Sequence, residues 1–285
     1  MSQDSSALAG RAFVVTAGAS GIGRSAAMHI ARAGGDVAIF DIDATMGEAA
    51  AAEARSHGVR SLFCRVDVRD RGAVTEAVER AQGELGLLRG LVAAAGISIP
   101  SPAASLQRAT WDAVLGVSLT GCFIACQVVG RKLIQNGGGA IVTISSIDAI
   151  SAHAGRASYC AAKFGVVGLT RTLAIEWGVH NIRVNSVAPG ITDTPAVRRG
   201  IPMEQIENVL IDRIPLGRMA HSDDMGAACR FLLSDEARYV TGMIMEVDGG
   251  LSAGFFTRWQ GRDLGSRTLF EKGLYGPPDN AGGAR

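Results

Sequence analysis

The run Phe13-Val14-Val15-Thr16-Ala17-Gly18-Ala19-Ser20-Gly21-Ile22-Gly23 constrains the fold of this chain more than any other stretch. A short apolar segment breaks at small residues, and an amphipathic stretch with Ala26, Ala27, Ile30 and Ala31 follows. The pattern reads as strand, tight glycine turn, helix. Glycines let backbone approach a pyrophosphate closely, and a helix N-terminus offers it N–H groups and a positive dipole end. Asp41 closes the next apolar run, Asp36-Val37-Ala38-Ile39-Phe40, and supplies an acid about twenty positions on.

The same alternation continues along the chain. Apolar runs near 12–16, 36–41, 60–66, 90–94, 139–145, 181–187 and 243–247 read as strands. Helical periodicity covers 21–34, 44–57, 71–83, 106–135, 156–178, 196–212 and 221–234. Strictly alternating strands and helices predict an α/β fold, a Rossmann-type doubly wound parallel sheet of about seven strands with helices on both faces. Right-handed crossovers then bring every strand C-terminus to one edge, and a dinucleotide with them. Residues 1–254 form one such domain, followed by an extension over 255–285. Phe255, Phe256, Trp259, Phe270 and Tyr275 place five of the fifteen aromatic residues in that extension. They predict an ordered arm, with a flexible tail from Gly276-Pro277-Pro278 onward.

Bulk composition excludes other classes. Twenty-eight basic and 27 acidic residues leave a net charge of +1, which offers no electrostatic case for nucleic acid or a membrane surface. No apolar run approaches ~20 residues, so no membrane-spanning helix is expected, and the polar N-terminus does not resemble a secretory signal. Cys64, Cys122, Cys126, Cys160 and Cys229 show no metal-ligand spacing. Their odd number, with no signal, points to a reducing, cytoplasmic setting.

Tyr159 precedes Lys163 by four residues, and Ser146 lies thirteen residues upstream of the tyrosine. On a helix the phenol and the ammonium share one face. The ammonium favours phenolate and so lowers the phenol toward working pH, which suits it to take a proton from an alcohol. Ser146, ending the strand Ala140–Ser145, can donate a hydrogen bond to oxygen as charge develops there.

Together, the glycine turn, Asp41, Asp67-Val68, Ala95-Gly96, Ser146/Tyr159/Lys163, Asn185 and Pro189-Gly190 with Thr194 resemble the short-chain dehydrogenase/reductase family over roughly residues 8–254. The resemblance implies an NAD-dependent oxidoreductase that interconverts a secondary alcohol and a ketone, with Tyr159 as acid/base. Ser20, Gly21, Ile22 and Gly23 would cradle the pyrophosphate, and Asp41 the adenosine ribose. NADP-preferring relatives carry a basic residue where Ser20 or Ile42 stands. Asp67 and Val68 would bracket the adenine, with Ala93 and Gly96 passing the cofactor. Lys163 would hold the nicotinamide ribose beside Tyr159, and Pro189, Gly190, Ile191 and Thr194 would meet the nicotinamide end. Relatives are usually homotetramers built through the helices near 106–135 and 156–178.

Three positions depart from the family pattern. Ala93-Ala94-Ala95-Gly96 stands for the frequent Asn-Asn-Ala-Gly, so side-chain hydrogen bonds that fix the local sheet are missing. Ser118 stands for the usual Asn, which helps hold a water in a proton relay; a serine leaves the backbone carbonyl for that water, and Ser118 counts as catalytic on that basis. Ala17 stands for the first motif glycine and requires an ordinary backbone angle there. Substrate contacts are expected from Ser98, Asp148, His153 and Arg156, and from about 192–212. Arg156 suits an anionic substrate group, whereas Asp148 would reject anions or bind a polyol hydroxyl, and the two expectations conflict. Rival readings are a cyclic dihydrodiol substrate, an NAD-using epimerase, and a non-catalytic NAD-binding sensor.

Overall fold

The computed structural model describes residues 7–200, 204, 206, 210–254, 258–259 and 262–263. Strand β1 (Ala12–Thr16) leads into helix α1 (Gly21–Arg32), then β2 (Asp36–Asp41), α2 (Ala44–Ser56), β3 (Ser61–Arg65), α3 (Arg71–Leu85) and β4 (Leu88–Ala93). After a loop come α4 (Arg108–Leu115), a π-helical turn (Gly116–Gly121), α5 (Cys122–Gln135), β5 (Gly139–Ile144), α6 (Ala157–Trp177) and β6 (Ile182–Pro189). The short β7 (Thr192–Asp193), α7 (Pro195–Gly200) and β8 (Ala220–His221) precede α8 (Ser222–Leu233) and β9 (Ile244–Val247). Seven strands form one sheet in the order β3-β2-β1-β4-β5-β6-β9, every pair parallel.

Successive strand residues face opposite layers, which explains why β1 is apolar throughout. Ala12 and Val14 join a core with Val74, Val78, Val129 and Leu133, from the α3 and α5 side. Phe13 and Val15 join a second core with Ala26, Ile30, Ala50 and Leu232, from α1, α2 and α8. Asp43 caps α2 through the Met46 N–H (3.0 Å), and Asp70 caps α3 through Gly72 and Ala73 (2.8 and 3.1 Å). Strand order reverses between β1 and β4, and the glycine turn leaves β1 at that switch point.

Three structural details differ from the sequence reading. The helix expected over 106–135 contains the π turn, because Gly116–Gly121 inserts a wider loop into one helical run. Gly121 permits it: a Cβ there would stand 2.5 Å from Val68 Cγ2. The full run Arg108–Gln135 has the length and composition of a membrane span, contrary to the expectation of none; 56% of its apolar window is buried in the chain's own interior, as in a core helix. Within the helix expected over 196–212, α7 spans Pro195–Gly200, Glu204, Ile206 and Leu210 are helical, and a tighter 3-10 turn covers Ile211–Arg213; the rest of the interval lies outside the described residues. In the C-terminal extension, Arg258–Trp259 pairs antiparallel with Arg262–Asp263; Phe255, Phe256, Phe270, Tyr275 and 276–285 lie outside the described residues.

Candidate active site

The glycine turn is shaped by close approach. A Cβ on Gly23 would sit 2.1 Å from the Ala17 carbonyl oxygen, and one on Gly18 2.9 Å from Ile39 Cγ2. Gly21 takes φ +54° in the left-handed region. Ala17 corrects the sequence reading: it adopts φ +51°, which a glycine takes without the Cβ clash. Ala17→Gly is therefore expected to raise stability by about 1 kcal/mol, the relieved clash outweighing the greater freedom of the unfolded glycine. Urea unfolding with an unchanged m-value checks this.

Asp41 is braced across the turn, accepting from the Ala19 N–H (3.0 Å) and the Asp43 N–H (3.1 Å). Arg24, one residue past Gly23, pairs with Glu53, so its charge is matched within the chain. Ser20 occupies the N-cap of α1 in extended backbone without a side-chain cap bond, and Ile22 packs on the second core. Thr194 meets the turn from the far side, with its Cγ2 3.5 Å from where a Gly21 Cβ would stand, while its hydroxyl accepts from the Val197 N–H. Pro189 ends β6, a Gly190 Cβ would strike Asp248 Cα at 2.6 Å, and the Ile191 carbonyl accepts from Ala220. Asp67 lies at the surface with both carboxylate oxygens on Arg69, which holds it below the usual carboxylate range. Val68 is buried against Gly121.

The hydrogen bonds expected to be missing after β4 come from elsewhere. The Thr16 hydroxyl accepts from the N–H groups of Ala94 and Ala95 (3.0 and 3.2 Å). Ser118 accepts from the Ile97 N–H (3.0 Å) and donates to the Ile97 carbonyl (3.1 Å). Ala93 is thereby fixed in β4 beside Thr16, and Gly96 lies open against Lys163, whose Nζ would be 3.3 Å from a Gly96 Cβ.

Tyr159 and Lys163 share one face of α6, with Nζ 5.6 Å from the ring centroid. Lys163 is 3% exposed and donates to the Ile144 carbonyl at 2.7 Å. Ser145 turns inward to Ser186 (2.9 Å), while Ser146 accepts from the Asp148 N–H and faces the phenol. This supports Ser146 over Ser145 as the site hydroxyl. In the chain by itself the neighbouring ammonium does not bring the lowering of Tyr159 expected from it together with a positive nicotinamide ring. Burial pushes the phenol up to about 12, with Ser146 and Arg156 acting against it and Asp148 adding to the rise. The same desolvation brings Lys163 down to about 8, opposed by Cys122. Lost solvation of the charged form is the largest cause of both shifts.

That shift predicts a pH signature. Between about pH 8 and the unfolded value of 10.5, the unfolded chain holds a proton on Lys163 that the folded chain has released. Stability from this residue therefore rises with pH across that window, and the cost of the buried ammonium is present in full below it. Relative to wild type, Lys163→Met should be most favoured near pH 7 and lose on the order of 2 kcal/mol of that advantage by pH 10. Chemical denaturation of both proteins at the two pH values reads it directly.

The four predicted substrate residues gather beside Tyr159. Arg156, at the start of α6, donates to the Ser98 hydroxyl from the loop after β4. Asp148 lies 3.6 Å from His153 Nδ1; burial pushes its carboxyl up, and His153 and Arg156 draw it back. The Ser101 N–H bonds the Gly155 carbonyl (2.9 Å), tying the two loops together. Next to Arg156, Ala157 borders a 460 Å3 cleft with Ala103, Leu106, Arg108 and Trp111. Sequence reasoning passed over this cleft; Trp111, one of three tryptophans, was the available signal.

A glycine cradle at the switch point, a carboxylate braced at the end of β2, and a phenol–ammonium pair anchored at the end of β5 define an oxidoreductase of the nicotinamide-dinucleotide class. A family model described as enoyl-(acyl carrier protein) reductase matches residues 16–252. The chain is 41% identical over 248 residues to cis-4-hydroxycyclohexanecarboxylate dehydrogenase of Sinomonas cyclohexanicum, covering 87% of this chain and 98% of that one. It is 37% identical to D-threitol dehydrogenase of Mycolicibacterium smegmatis, over 85% of this chain and 93% of that one. Levodione reductase superimposes with a TM-score of 0.83 at 31% identity, covering 87% of this chain and all of that chain (100%). The chain belongs to the short-chain dehydrogenase/reductase family, and it is an NAD-dependent enzyme acting on alcohol- or ketone-like substrates.

Proposed function

We propose that the chain interconverts a ring-borne secondary alcohol carrying a carboxylate and the corresponding ketone, with Tyr159 as acid/base. The observation that carries the chemistry is the meeting of the half-buried Tyr159 with the buried Lys163 and Ser146 against the open backbone at Gly96. Bound NAD supplies the hydride acceptor and a positive charge near the phenol. Ser20, Gly21, Ile22 and Gly23 would hold its pyrophosphate, Asp41 the adenosine ribose, and Asp67 and Val68 the adenine. Ala93, Gly96, Pro189, Gly190, Ile191 and Thr194 line the way to the nicotinamide.

Tyr159 takes the hydroxyl proton as hydride leaves the carbinol carbon, and Ser146 donates to the oxygen that gains charge. Lys163 keeps positive charge beside the phenol oxygen while anchored to the Ile144 carbonyl. The Ser118 hydroxyl is committed to Ile97, so only its backbone oxygen serves a proton relay.

The carboxylate follows from Arg156. Its guanidinium is steadied by Ser98 and lies within electrostatic reach of Tyr159. Asp148 faces both His153 and Arg156, and Arg156 is the permanent cation acting on Tyr159. The likeness to an enzyme of a cyclic hydroxy acid supports the same reading.

Arg156→Ala should raise KM for cis-4-hydroxycyclohexanecarboxylate at least about tenfold and leave kcat/KM for cyclohexanol within about twofold, the loss of one charge-assisted contact. NADH absorbance gives both numbers, and an unchanged KM for the acid would overturn the carboxylate assignment. A homotetramer is part of the proposal: Phe123 on α5 and Phe164 on α6 are 37% and 47% exposed, apolar surface that a second copy can cover.

A further inference from the structure

A second cavity lies at the opposite edge of the sheet, where β1, β4 and β6 begin. It measures 470 Å3, and Arg11, Arg89, Arg183 and Arg238 line it against a single carboxylate, Asp235. This concentration of charge stands out in a chain whose net charge is +1.

Part of the arrangement is structural. Arg89 donates to the Asn136 carbonyl (2.7 Å) at the end of α5, and Arg183 to Leu232 and Ser234 (2.7 and 3.0 Å) at the end of α8. Cations at helix C-termini complement the dipole. Carbonyl oxygens do not neutralise charge, however, and the one carboxylate is shared. Asp235 is paired with Arg11 and feels Arg183 and Arg238 as well, which together hold it below the usual range. Arg183 is itself weakened by burial and by repulsion from Arg11. The Arg238 side chain donates to no described residue, so its fork is available to a ligand.

Backbone amides do not supply the recognition. Gly137, Gly138 and Gly139 line the cavity, yet their N–H groups are spent on Ile134, Leu133 and Asn181. Recognition falls to the guanidiniums, whose forks suit a multiply charged tetrahedral oxyanion, and the space exceeds a single such group.

We infer that this cavity is a second binding site, separate from the cofactor and substrate sites, for a small molecule carrying a phosphate or diphosphate group. Bound there, the anion bridges the starts of β1, β4 and β6 to the segment after α8. The site lies roughly a strand length, about 17–20 Å, from the catalytic edge, so occupancy stabilises the fold and leaves the chemistry unchanged.

Calorimetric titration of the full chain with pyrophosphate, at fixed ionic strength and with saturating NAD, tests the assignment. NAD occupies the glycine cradle, the other place where a diphosphate can bind. One saturable site is expected, weakened at least tenfold by Arg238→Glu, with NAD affinity and turnover of that variant unchanged. AMP in a parallel titration separates the sources: tighter AMP binding points to a phosphate ester, tighter pyrophosphate binding to the free anion. No saturation at millimolar pyrophosphate, displacement of pyrophosphate by NAD, or equal affinity in Arg238→Glu would each overturn the inference. The catalytic reading is untouched by any of these results.

Discussion

Tyr159→Phe is expected to lower kcat about 10³-fold or more, the contribution of a positioned proton-transfer group. The ring still fills its place in α6, so folding and NAD affinity should stay within about twofold of wild type. The reason lies in one atom. Ser146 and Arg156 both act on the phenol, and Lys163 Nζ lies 5.6 Å from its ring centroid. His153 is exposed and turned to Asp148. The free chain holds the phenol at about 12, so wild-type turnover should climb with pH only as far as added positive charge near the phenol lowers that value. Stopped-flow measurement of NADH formation, with NAD binding followed in parallel, gives both quantities. Undiminished turnover in Tyr159→Phe would remove the proposed mechanism, while lost NAD binding would mean that the variant disturbs the cradle instead.

Gly23→Ala is expected to abolish NAD binding and to cost about 3 kcal/mol or more in stability. A Cβ at this position would meet the Ala17 carbonyl oxygen at 2.1 Å and the Thr16 carbonyl oxygen at 3.1 Å, both of them backbone. No rotamer relieves such a contact, and separating α1 from β1 would disrupt the core around Ala26, Ile30 and Val15. The position contrasts with Gly83, where a Cβ meets nothing within 4 Å. Gly83→Ala should therefore leave NAD binding intact and serves as the control in the same thermal and calorimetric measurements. A Gly23→Ala protein that binds NAD normally would contradict the packing at this turn.

Much of the site was legible because it is local. The phenol and ammonium meet through helical period alone, and the strand–turn–helix at Phe13–Gly23 is a contiguous pattern. Seven strands and their parallel order follow from alternation plus the handedness of crossovers. What escaped was long-range or energetic. Thr16 supplies the hydrogen bonds at Ala94 and Ala95 across 78 and 79 residues of chain. Ser118 reads as a weakened Asn until its hydroxyl is found on Ile97, 21 residues upstream. Ala17 takes a left-handed angle where its carbonyl lies too close to Gly23 for any side chain there, an approach that no local propensity encodes. The rise of Tyr159 depends on how much solvent its neighbours exclude, and no motif states that quantity.

The sequence by itself determined the fold class, the family and the cofactor, because each rests on short spacings and backbone periodicity. Only the tertiary structure decided which serine faces Tyr159, that burial raises the phenol and lowers the lysine, and that Arg156 stands on Ser98. It alone brought Arg11 to Asp235, 224 positions away, and gathered three more arginines around them. Solvation and charge sum over every atom packed nearby, and those neighbours are set by the folded chain rather than by its order.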